Sequence, residues 1–180
     1  MRALILIGLV LSAPALGAER YHLKLVSVEP VKGVPPEIAA RVGALLEKLT
    51  KDRPEFVAQL TGAPEDPDKL KKWLAAKKIR AFSVTAKITI WERSVEPPKE
   101  DKSGQILKLR VEMQLIGADL PGGGLALTGE GGSTVMVEIG KTVRPRDDEY
   151  AAGEALNEAT SHALDEAVRR LRASKKNKPK

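Results

Sequence analysis

Glu158, His162 and Glu166 come nearest to a metal site in this chain. Steps of four place them on one helix face, and carboxylates with imidazole suit divalent transition metals. That face lies opposite Leu156, Ala163 and Ala167, which makes it a solvated surface. The other histidine, His22, opens a strand. Gly140-Lys141-Thr142 has the ending of a phosphate loop, but Val135 stands where the loop needs glycine and Pro145 interrupts the helix that would receive the phosphate. Gly129-Glu-Gly-Gly-Ser133 has no helix after it and reads as a bulge or bend in a strand. Without cysteine there is no thiol nucleophile, thiolate metal site, disulfide or lipidated cysteine. On the predicted helices no serine is followed at a helical spacing by a Lys or His that would serve as its base. These residues predict no catalytic set, no cofactor and no metal. A hydrolase would rest on loose carboxylates alone.

What remains is binding chemistry. Trp91, Arg93, Pro97, Pro98 and Arg110 fall at one end of a predicted hairpin and form the candidate partner-binding set. Trp and Arg are enriched at binding hot spots, and the Pro97-Pro98 pair stiffens the connection 96–104, lowering the entropy lost on docking. The alternative is that Trp91 only covers the end of the core.

The elements that must position them follow from periodicity. Phe82, Val84, Ala86, Ile88 and Ile90 alternate with Ser83, Thr85, Lys87, Thr89 and Trp91, and Leu107 to Leu115 alternate in the same way. The two form an antiparallel hairpin with Val84, Ile88, Leu109, Val111 and Met113 inside and Thr85, Lys87, Arg110 and Glu112 outside. Trp91 then lies on the outer face. After the reversal at Pro121-Gly-Gly-Gly124, residues 125–139 read as a third strand of the meander. An earlier strand spans 22–31. A helix from Pro36 to Lys51 carries Ile38, Val42, Leu45 and Leu49, and a short strand falls within 53–60. A helix at 68–78 buries Leu70, Trp73 and Leu74, and its basic residues read as a solvated face. The last helix, 147–172, buries Leu156, Thr160, Ala163, Ala167 and Leu171. The fold class is α+β: a two-layer sandwich with a mainly antiparallel four- to five-stranded sheet and two to three helices on one face.

Met1-Arg2, the apolar run 3–11 and the small-residue-rich stretch 12–18 have the pattern of a secretory signal peptide, with cleavage favoured after Gly17 and next after Ala18. The expected organisation is a signal peptide at 1–17, one domain at 18–173 and a basic tail at 174–180. The run is too short to span a bilayer, which needs about 20 apolar residues, so a periplasmic or secreted mature chain with no integral membrane span is expected. Residues 1–18 and 174–180 hold five of the 30 basic residues and none of the 24 acidic ones, so the domain between them is nearly neutral. That argues against nucleic acid as a partner, while the tail suits weak contact with anionic surfaces.

The order strand, helix, short strand, helix, meander and Ala-rich terminal helix resembles the envelope domains grouped around the amino-terminal domain of TolB, the periplasmic domain of the curli secretion channel and the outer-membrane activators of penicillin-binding proteins. The resemblance is carried by Trp73-Leu-Ala-Ala-Lys-Lys-Ile-Arg-Ala-Phe-Ser-Val-Thr-Ala-Lys87, by 107–120 and by 155–171. It implies a non-enzymatic envelope module that binds another envelope protein or self-associates. A periplasmic carrier of a small ligand or wall polymer is the alternative.

Overall fold

The structure is a computed structural model and describes residues 19–97 and 104–176. Residues 1–18, where a signal peptide is expected, Pro98 with the rest of its loop, and the last four residues lie outside the described residues. The elements are β1 (Arg20–Pro30), α1 (Glu37–Lys51), α2 (Pro67–Lys77), β2 (Ile79–Glu96), β3 (Gln105–Leu120), β4 (Leu125–Ile139) and α3 (Pro145–Lys176). They form an α+β fold around an open, mixed sheet of order β1-β2-β3-β4. The meander β2-β3-β4 is antiparallel, as its two short reversals require, whereas β1 pairs parallel to β2 because α1 and α2 carry the chain back to the starting end.

Helices α1 and α3 cover one face, where Phe82, Val84, Ile88, Leu109, Val111 and Met113 meet Ile38, Val42, Leu156 and Leu164. Neighbouring strand residues point to opposite faces, so Ile79 and Ala81 look the other way, and there α2 caps one end of the sheet with Leu74. The rest of that outer face is a ladder of polar pairs: Lys87 with Glu29 at 3.0 Å, Arg110 with Glu92 at 3.6 Å, Lys108 with Glu96 at 3.9 Å, and Gln114 donating to Glu130 at 3.2 Å. Each exposed pair adds little stability, but together they keep the face wet.

Two sequence expectations are corrected. The short strand expected within 53–60 is one parallel bridge, Tyr21 to Phe56, made by Tyr21 N–H to Glu55 O and Val57 N–H to Tyr21 O, both 2.8 Å. Pro54 in front and Gly62 and Pro64 behind deny it a longer ladder. The glycines of β4 mark no bulge. The β3–β4 register runs unbroken from Leu127 to Ile139, and its shift falls near the turn, at Ala118. Gly129 and Gly131 instead admit the helix: a Cβ on either would lie 2.1 Å from a carbonyl oxygen of α3, that of Ala163 or Ala159. Bare strand and alanine-lined helix therefore pack backbone to backbone, with Ala159, Ala163 and Ala167 fully buried.

Candidate binding cleft

A break in the β2 ladder builds the site. Ile88 faces Met113 and Ile90 faces Glu112, which leaves Thr89 without a partner on β3. One extra residue inverts every later side chain relative to simple alternation. Ile90 therefore goes to the outer face, and Trp91, now opposite Val111, turns inward and packs half-buried against the core. Trp91 thus leaves the outer face on which the uninterrupted alternation set it.

Beneath Trp91 opens a cleft of about 800 Å³ between the start of α1, the start of α3, the last part of β2 and the first part of β3. Its walls are Ile38, Leu109, Val143, Ala151 and Ala152, and its rim carries Glu37, Arg41, Arg93, Asp148 and Glu149. Arg93 grips Asp148 with both arms, Nε to Oδ1 at 2.7 Å and Nη2 to Oδ2 at 3.2 Å. The hydrogen bond to Asp148 is the largest influence on Arg93 and raises its pKa, with partial burial opposing. Arg41 sits half-buried with no ion pair to any described residue; its Nη2 would be 3.2 Å from a Cβ on Gly153. Pro36 at the cap of α1 and Pro145 in the first turn of α3 start the two helices that meet here.

The candidate set is divided by the sheet. Trp91 and Arg93 share the cleft, while Arg110 lies on the outer face between Glu112 and Glu92. Its hydrogen bond to Glu112 raises its pKa most. Pro97 is exposed just past β2. Arg41, Ile38, Asp148 and Ala152 were not legible as site residues, since nothing in their local sequence says that the two helix starts converge.

The helix-face triad has other engagements. Glu158 accepts from Ser133 at 2.5 Å, His162 Nδ1 bonds the Gly132 carbonyl at 3.0 Å, and Glu166 accepts from Arg169 and Arg170. The arginine hydrogen bonds lower the Glu166 pKa. His22 Nδ1 is held by the Val57 carbonyl at 2.8 Å. Asp147 is buried at the start of α3, where the Arg144 N–H donates to it at 3.0 Å; this bond is the main reason its pKa lies below the ordinary value. Among the described residues no helix is long and apolar enough to cross a membrane.

No family model matches the chain and no curated protein matches it. Solved structures do. One is a homolog of the neuraminyllactose-binding hemagglutinin from Helicobacter pylori, with a TM-score of 0.52 at 15% identity over 87% of each chain. Another is a Xanthomonas campestris protein of the DUF330 family, with a TM-score of 0.48 at 7% identity over 87% of this chain and 89% of that one. A third is a minor lipoprotein from Acinetobacter baumannii, with a TM-score of 0.40 at 9% identity over 84% and 92%. The first of these similarities, to a bacterial protein, is one of fold alone, and it carries no TolB identity.

Proposed function

We propose that this protein is an exported, non-enzymatic module of the bacterial envelope that binds another envelope protein through the cleft around Trp91. The observation that carries the reading is the Thr89 bulge, which spends a ladder residue to bring Trp91 beside Arg93 and Leu109. An aromatic anchor over an apolar floor, ringed by charges of both signs, is the composition of a protein-binding hot spot. A carrier of a small ligand or wall polymer is the second reading, favoured by a volume within the roughly 300–1,000 Å³ of small-molecule sites.

Crosslinked pull-down from the native envelope tests the first reading, with Arg41→Glu and Asp148→Ala as rim variants that spare the core. Both should lose the partner while melting within a few degrees of the parent chain. Undiminished recovery by both would remove the cleft from the interaction. Quenching of Trp91 fluorescence by soluble wall fragments, with no protein recovered, would favour the carrier. Export is tested by N-terminal sequencing, which should begin at Ala18 or Glu19.

A further inference from the structure

The two edges of the sheet are finished differently. Along β1 the segment 55–57 closes one end, a register shift at Val26 breaks the middle and Pro30 ends the strand. Those are the usual protections of an edge. On β4, α3 shields only the first part, where His162 takes the Gly132 carbonyl. That carbonyl points away from β3. By the two-residue repeat, the N–H and C=O groups of Thr134, Met136 and Glu138 point to the same open side. Apart from the β3 ladder, no backbone hydrogen bond among the described residues reaches 134–138. The stretch Thr-Val-Met-Val-Glu has no proline and no lysine, and Met136 is 59% exposed.

We propose that β4 pairs antiparallel with β4 of a second copy, across a two-fold axis at Met136, joining two four-stranded sheets into one of eight strands. The register follows from what is free. Centred on Met136, the outward groups of Thr134, Met136 and Glu138 meet those of Glu138, Met136 and Thr134 in the other copy, and the Gly132 carbonyl stays with His162. A centre at Val135 would oppose Gly132 to Glu138 and compete with that imidazole. In the Met136 register the half-buried Val135 and Val137 cover each other, the two methionines stack on the outer face, and no like charges stand opposite. Such a two-fold contact is self-complementary and closes, giving a dimer and not a filament. The contact is small, so a dissociation constant on the order of 10 μM is expected.

The chain has no native cysteine, so a single introduced thiol reports the contact. Facing residues in a hydrogen-bonded antiparallel pair have Cα atoms about 5.5 Å apart, within disulfide reach. Under mild oxidation Met136→Cys should crosslink to a dimer, while Lys24→Cys, exposed on the β1 edge, should not. Sedimentation of the unmodified chain should show dimer growing with concentration, and Met136→Lys should abolish it without changing the melting temperature. A monomer up to about 100 μM, ten times the expected constant, would overturn the proposal. So would equal crosslinking at both cysteines, or a Met136→Lys chain that still dimerises. Partner capture through the Trp91 cleft is read independently, since neither cysteine lines it.

Discussion

Gly131 and Ala159 approach so closely that a methyl group on the glycine would lie 2.1 Å from the alanine carbonyl oxygen. Both partners are backbone, so neither swings aside. Gly131→Ala should therefore force α3 off β4 and cost about 3 kcal/mol or more, at or beyond the upper end of ordinary overpacking. Gly132→Ala is its control. There the new Cβ meets the flexible Glu112 side chain at 3.4 Å and the Val111 carbonyl oxygen at 3.6 Å, both ordinary contacts, and the change should stay within about 1 kcal/mol. Chemical denaturation of both variants measures the difference, and equal costs would contradict the close helix–strand seam.

The bulge yields a deletion test. Thr89 opposes nothing on β3, so removing it should leave Trp91 opposite Val111, keep its fluorescence in a Trp73→Phe background and lower the melting temperature only modestly. Deleting Thr85 instead removes a paired residue and obliges one side of the strand to slip, exchanging inner and outer side chains. That variant should fail to fold. A red-shifted Trp91 in the Thr89 deletion would place the irregularity elsewhere.

The register itself is tested by neighbours. Val111 is fully buried, and Val111→Asp should unfold the domain. Glu112, on the outer face beside Arg110, should tolerate replacement by Gln at a cost of no more than about 0.5 kcal/mol, the usual value of an exposed pair. Circular dichroism melts of the two variants separate these outcomes.

Asp147 predicts an acid limb. Its pKa is lowered from the ordinary 3.8, first by the Arg144 N–H, then, against the opposing effect of burial, by the Arg144 side-chain hydrogen bond and the charges of Arg144 and Arg146. A carboxylate whose folded pKa is depressed stabilises the fold above its unfolded value, and that contribution is lost as pH falls through the folded one. Asp147→Asn should accordingly lower the melting temperature near neutrality and flatten its fall below about pH 4. A variant whose acid limb parallels that of the parent chain would assign the acid sensitivity to other groups.

The sequence by itself determined all the elements but the short strand expected within 53–60, and most of the core. Alternation in 82–88 and 107–115 needs no tertiary information, because strand side chains change face at every residue, and the α3 face that holds Leu156, Thr160 and Ala163 follows equally from helical repeat. It was silent where one residue changes the phase. Thr89 is an ordinary β-branched strand residue, and only pairing with β3 decides that it stands unpaired and that Trp91 turns inward. The Gly129 and Gly131 signal was visible, yet its meaning depended on a helix some thirty residues later in the chain lying directly above. The cleft likewise exists because α1 and α3 start over the same corner of the sheet, a convergence set by packing across distant segments and written in neither helix alone.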